Sequence, residues 1–180
     1  MPKDINWDTI TDAKELSFED QIIETKVISV YDGDTIRIVF PLHGHMYKWN
    51  CRLTGIDTPE LRTRCDVEKK HGYFVRDELR NRILNKVVHV KCGKFDKYGR
   101  LLIEITCIGE SCTINRWLID KDYAFEYDGG TKKSWGEYLK TKNSNLVATD
   151  KTPSSSISHI FSWIPGVSSI TGKKVIPKIT

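Results

Sequence analysis

The chain has 180 residues, 39% of them hydrophobic and 29% charged, with a formal net charge of +4. That length suits one domain of ordinary size plus appendages and suffices to bury a core. Its five cysteines are odd in number and contain no C-x-x-C pair, which argues against a complete disulfide framework and against a zinc ribbon.

Cys51, Cys65, Cys92, Cys107 and Cys112 therefore read as free thiols, three of them in apolar runs, as in a reducing compartment. The opening MPKDINWDTI has no basic segment followed by an apolar one, and no run approaches the ~18 apolar residues of a spanning helix. An intracellular protein is the expectation. Charge is uneven along the chain. Positions 61–100 carry twelve Lys/Arg against five Asp/Glu. Such a basic centre suits a polyanion such as nucleic acid, although scattered surface lysines give a similar count.

Residues 1–20 form an acidic extension, with at most a short helix over 12–18. From Gln21 the run QIIETKVISVYDGDTIRIVF holds two β-branched stretches around Tyr-Asp-Gly-Asp, which predicts strand, tight turn, strand. Period 2 sets Asp32 and Asp34 on the face of Ile36 and Ile38, at the mouth of whatever core those isoleucines line. A turn over 41–45 leads to a third strand over 47–56; His43 and His45 flank Gly44 there and read as a solvated hairpin tip.

Helical spacing over 67–84 places Val67, Phe74, Val75, Leu79, Ile83 and Leu84 on one face. The other face offers Lys69, Lys70, Arg76, Arg80 and Arg82, either solvated or reaching phosphates, the solvated reading being favoured. A fourth strand follows over 87–92, a turn over 93–99 and a fifth strand over 101–108. Thr113 is a plausible cap for a helix over 113–120, and another helix is predicted near 134–142, after Gly129 and Gly130. From about 144 the composition turns to Ser, Thr, Pro and Lys, and a disordered tail is expected there. Its ISHIFSWIPGVSSI stretch is too polar to span a bilayer but offers Phe161 and Trp163 for weak contact with a partner or membrane surface. The expected organisation is thus 1–20 extension, 21–143 domain, 144–180 tail.

Chemistry concentrates in three motifs: DGDT at 32–35, CRLTGIDTPE at 51–60 and DKYGR at 96–100. Separately each has a plain reading. The second is a strand end with an ion pair, or the edge of a site where two carboxylates and a guanidinium hold a divalent cation beside a phosphate. DGDT resembles the start of a calcium loop, yet Ile36 and Arg37 stand where an EF-hand needs an oxygen ligand and a glycine. Strict alternation would set Arg52 and Asp57 on opposite faces, so a shared site requires a bulge at Gly55 or a strand that ends before Asp57.

In this order, framed by three strands, a helix and two strands, the motifs resemble the staphylococcal (micrococcal, thermonuclease) nuclease family over roughly 24–142. The resemblance implies an α+β fold, a five-stranded OB-fold β-barrel with about three packed helices. It implies Asp34, Asp57 and the Thr58 carbonyl as Ca²⁺ ligands, with Asp32 and Glu60 around the ion. It implies Arg52 and Arg100 as the arginines that grip the scissile phosphate, Tyr98 beside a terminal phosphate, and Tyr123 or Tyr127 as further candidates. The activity implied is calcium-dependent hydrolysis of DNA and RNA, single strands preferred, with low sequence specificity and 3′-phosphate products. Glu60, across a proline-fixed turn from Asp57, suits either taking a proton from the attacking water or orienting that water. Two alternatives stand beside this reading, with a monomer expected: a non-catalytic nucleic-acid-binding OB-type module, or a carrier whose tail does the work.

Overall fold

The computed structural model of the chain describes residues 5–149, with side chains through residue 142. Alternating burial builds the first strands: β1 (Ile22–Val30) turns Val27 and Val30 inward, and β2 (Thr35–Leu42) turns Ile36, Ile38 and Phe40 inward. The two-residue hairpin His43-Gly44 has positive φ at both positions, 48° and 82°, the geometry that matches strand twist, and returns the chain into β3 (His45–Leu53). Both histidines of this tip are exposed.

After β3 comes a two-residue strand β4 (Ile56–Asp57), then helix α1 (Asp66–Ile83), β5 (Val87–Phe95) and β6 (Leu101–Cys107). Helix α2 (Ile114–Asp120), a second short strand β7 (Phe125–Glu126) and helix α3 (Trp135–Thr149) complete the order. Strands β1, β2, β3, β6 and β5 close a barrel in that order, antiparallel except for β3 beside β6. This is the expected five-stranded OB-type α+β barrel with three helices. The two short strands pair with each other, Ile56 opposite Glu126 and Asp57 opposite Phe125.

The barrel core holds Val27, Ile36, Ile38, Leu53, Val88, Val90, Ile103 and Ile105, each essentially without solvent contact. Burial of each such side chain contributes about 1.5–3 kcal/mol. Helix α1 adds Val75, Leu79 and Ile83; Val67, expected on that face, is exposed in the first turn. Gly72 takes part instead, because a Cβ there would stand 2.9 Å from the Pro59 carbonyl oxygen. Thr113 caps α2 as its sequence suggests, its side chain accepting from the Arg116 N–H at 3.1 Å.

The acidic segment has no helix over 12–18; a single 3₁₀ turn at Trp7–Thr9 precedes an irregular stretch, and Phe18 at its end is 4% exposed. Helix α3 runs through Thr149. The ISHIFSWIPGVSSI stretch lies outside the described residues. Among those residues no helix is long and apolar enough to cross a membrane.

Candidate active site

The β1–β2 turn is closed by one of its own side chains. Asp32 Oδ1 accepts from the Thr35 N–H at 2.7 Å and the Asp34 N–H at 3.2 Å, an Asx arrangement that leaves Asp34 pointing into the barrel mouth. Gly33 lies so tight against the next segment that a Cβ would meet Thr58 Cβ at 2.8 Å and Val75 Cγ1 at 2.9 Å. The Thr35 hydroxyl donates to Asp34 Oδ1 at 2.9 Å, and the Asp34 carbonyl accepts from Leu53 N–H at 2.8 Å. Asp34 is therefore fixed from both sides and only 4% exposed.

Register then delivers Arg52, which lies opposite Thr35 across β2 and β3. Its Nη1 stands 2.6 Å from Asp34 Oδ2, while Nη2 is 3.9 Å from Asp57 Oδ1 and donates to the Ile56 carbonyl at 3.4 Å. The required break is present. Strand β3 stops at Leu53, Gly55 turns with φ +74°, and β4 starts a new direction, so Arg52 and Asp57 meet despite their odd spacing. Asn115 of α2 holds that break, donating from Nδ2 to the Thr54 carbonyl at 2.8 Å and to the Ile103 carbonyl at 3.3 Å, and accepting from Ile105 N–H at 3.2 Å.

The third motif is a turn organised by Asp96. Its Oδ1 accepts from the Tyr98 and Arg100 N–H groups, both at 2.9 Å, and its Oδ2 takes the Arg100 Nε and Nη2, both at 2.8 Å. Partial burial pushes the Asp96 carboxyl up, but the Arg100 and Tyr98 donors outweigh it and hold the group below its ordinary value. Arg100 Nη1 reaches Thr35 Oγ1 at 3.4 Å, which links this turn to the first. Its guanidinium also lies 5.5 Å from the Tyr98 ring centre.

These segments line one cavity of about 400 Å³, whose walls include Asp32, Asp34, Arg52, Thr58, Glu60, Tyr98 and Arg100. Of the residues singled out from sequence, Asp57 joins through its ion pairs and Tyr127 lines the same cavity. Tyr123 does not; it packs edge-on against Phe74 at 5.4 Å and Trp117 at 5.7 Å. A larger cavity of about 710 Å³ also touches Asp57 but is lined by neither Arg52 nor Arg100, and so lacks the paired guanidiniums.

Lys132 is the site residue that the sequence did not disclose. Its Nζ lies 2.7 Å from Asp57 Oδ1 and 3.0 Å from Glu60 Oε1. Burial lowers the tendency of this ammonium to stay charged, but hydrogen bonds to Asp57 and Glu60 prevail and raise its pKa. It sits in GGTKK, a loop without motif, and only the long-range fold reveals it. Asn115 gave one weak signal, a polar residue beside the apolar face of INRWLID.

The carboxylates are under electrostatic load. Burial pushes the Asp34 carboxyl up to about 7, and Asp32 adds to that, against the downward pull of Arg52 and the Thr35 hydroxyl. Asp57 is 3% exposed, with Lys132 Nζ 2.7 Å and Arg52 Nη2 3.9 Å from its Oδ1. Among the described residues no group of three or more His, Cys, Asp or Glu side chains clusters as a ready-made metal centre. The donor set is nevertheless all oxygen, and the four carboxylates Asp32, Asp34, Asp57 and Glu60 share the two cations Arg52 and Lys132, which fits a hard divalent cation.

A curated relative and a family model are similar to the chain. A protein of Methanocaldococcus jannaschii, described as uncharacterized, is 33% identical to the chain over 50% of this sequence and 51% of its own. The chain thus spans about half the length of that curated relative. A family model described as staphylococcal nuclease homologue matches residues 50–149, from the strand that carries Arg52 to the end of α3. DGDT lies outside that match, yet the fold brings Asp34 to Arg52. With the closed barrel and the site in place, the match over more than half its length shows that the chain belongs to the staphylococcal nuclease homologue family.

Proposed function

We propose that the chain is a calcium-dependent nuclease that hydrolyses phosphodiesters of DNA and RNA with low sequence specificity and leaves 3′-phosphate ends. One observation carries this reading: Asp34, Arg52 and Arg100, from three separate segments, line one open cavity, and Arg52 ties Asp57 to it. Two guanidiniums beside buried carboxylates suit a phosphate held next to a hard cation.

Asp34, Asp57 and the Thr58 carbonyl would hold the ion, which when bound supplies Lewis-acid polarisation of the phosphodiester and offsets its charge. Arg52 and Arg100 donate to the phosphate oxygens, and these bonds strengthen as negative charge builds there in the transition state. The Asp96 clamp keeps Arg100 aimed in advance, so no reorganisation is needed at the moment of reaction. Glu60, half exposed at the cavity rim, takes a proton from the attacking water or orients it. Its bond to Lys132 must loosen for either role. Tyr98 and Tyr127 offer faces to bases or sugars, which tolerates any sequence and favours single strands.

The purified protein is expected to degrade single-stranded DNA with Ca²⁺ and to stop on addition of chelator. Arg52→Ala should lower kcat by about 10²–10³-fold or more. Robust cleavage by that variant would sink the mechanism. The second reading, a binding module without catalysis, gains if the wild type binds single strands but cleaves none with Ca²⁺, Mg²⁺ or Mn²⁺.

A further inference from the structure

A further cavity, of about 410 Å³, has lining residues next in the chain to those of the site at two places. It is lined by Tyr31, Leu61, Arg62, Tyr73, Arg76 and Arg80, together with the end of β1. Both of its connections to the site are covalent neighbours: Tyr31 precedes Asp32, and Leu61 follows Glu60. A chain leaving the reacting phosphate across this rim enters a space walled by arginines and tyrosines.

The arginines are arranged rather than scattered. Tyr73, Arg76 and Arg80 lie at helical spacing along one side of α1. The Arg76 guanidinium lies 4.7 Å from the Tyr73 ring centre and that of Arg62 lies 5.8 Å from the Tyr31 ring centre; Arg76 spends its Nε and Nη2 on Asp77 Oδ1 and keeps Nη1 for a ligand. The segment carrying Arg62 is strapped to α1 by Glu68, whose Oε1 accepts from Glu60 N–H at 3.2 Å and whose Oε2 accepts from the Thr63 hydroxyl at 3.0 Å. No acidic residue lines the cavity. Asp77 neutralises Arg76 alone, at 2.8 Å, and among the described residues neither Arg62 nor Arg80 has a carboxylate within ion-pair distance. Three guanidiniums with one counter-charge between them form a built anion site.

We infer that this cavity is an extended-substrate subsite, taking one or two phosphates of the same nucleic-acid strand beyond the scissile position, with bases stacking on Tyr31 and Tyr73. The inference rests on the nuclease reading above. It makes strand length a determinant of affinity: the subsite adds nothing to a dinucleotide and binds only a strand long enough to cross the rim.

The test compares the full chain with Arg62→Gln/Arg76→Gln/Arg80→Gln, and with Arg62→Gln/Arg80→Gln, which leaves the Arg76–Asp77 pair intact. Cleavage of an oligothymidylate of about 20 nucleotides should show KM raised about tenfold in the triple variant with kcat unchanged, while kcat/KM for a dinucleotide stays at the wild-type value. Binding of the same fluorescent oligonucleotide in chelator should lose about 1 from its log–log salt slope, as for one or two phosphates neutralised on a single strand. The double variant should move in the same direction by a smaller step. Unchanged KM and salt slope in both variants, with an active wild type, overturn the subsite and leave the nuclease reading standing. A wild type that neither binds nor cleaves the oligonucleotide overturns both. A loss equal for dinucleotide and long strand also overturns the subsite, because it would report damage to the site itself.

Discussion

The buried charge of Asp34 works against folding at neutral pH. Burial, with Asp32 beside it, pushes its carboxyl up from an ordinary 3.8 to about 7, more than Arg52 and the Thr35 hydroxyl pull it down. The folded chain therefore holds the proton more tightly than the unfolded chain, and stability present below about pH 4 is lost as pH rises through 7. Asp34→Asn removes that loss. In chelator at pH 8 the variant should be more stable than wild type by about 1–3 kcal/mol, the Arg52 partner it forfeits offsetting part of the gain, and the gap should close towards pH 4. Urea titrations at several pH values measure it, and a gap independent of pH would refute the account. The same variant should not cleave. Lys132 has the opposite role, satisfying Asp57 and Glu60 with a charge that competes with any cation binding there. Lys132→Ala should therefore tighten Ca²⁺ binding by about 3- to 10-fold in calorimetric titration, as expected of removing one partly screened charge from a ligand. Weaker binding would instead make the lysine a support of the ligand geometry.

Among the elements, the break between β3 and β4 decides whether a site exists, and Asn115 is its fastening. The Ile103 carbonyl also accepts from Thr54 N–H at 2.9 Å, but two backbone groups rest on that one side chain: the Thr54 carbonyl and the Ile105 N–H. Asn115→Ala strands them in a buried setting, at a cost of about 2–4 kcal/mol. It also loosens the Gly55 turn that aims Asp57, so kcat should fall at temperatures where circular dichroism still shows a folded protein. Full activity below the melting transition would make the residue structural only. Sequence and structure part company here in an instructive way. The barrel strands and α1 were legible because β-branched runs and helical spacing extend over many residues, and Gly55 was legible because Arg52 and Asp57 cannot share a face without it. Strand β7, two residues long in Phe125–Glu126, has no period to read, yet it pairs with β4 and sets the direction of Asp57. Lys132 follows the same logic. A single lysine in a loop acquires meaning only once β7 and the turns after it bring that loop over Asp57.

For the molecule as a whole, the two ends of the barrel are built for different tasks. Thr35 and Arg52 pair at the site end of β2 and β3, whereas Phe40 and Tyr47 pair towards the other. That other end is closed by aromatics: Phe18 sits edge-on to Phe40 at 5.4 Å and to Trp49 at 5.0 Å, with Phe95 at 6.1 Å, while Phe40 and Trp49 stack at 4.9 Å. Backbone bonds hold Phe18 in place, since the Asp20 N–H donates to the Cys92 carbonyl and the Cys92 N–H to the Gln21 carbonyl, both at 2.8 Å. The acidic composition of residues 1–20 hides this, because one phenylalanine among carboxylates gives no pattern. Phe18→Ala should open a cavity beneath Trp49 and cost about 3–5 kcal/mol. Removing residues 1–16 should cost little, as Trp7, Ile10 and Leu16 are exposed, whereas removing 1–20 should cost as much as the point variant. Denaturant midpoints separate these cases, and a truncation of 1–20 as stable as wild type would show that Phe18 closes nothing. Because the plug lies at the end of the strands away from Thr35 and Arg52, kcat of the folded Phe18→Ala protein should match that of wild type. A variant with lowered kcat well below its melting temperature would mean that packing at the aromatic end reaches the site through β2 and β3.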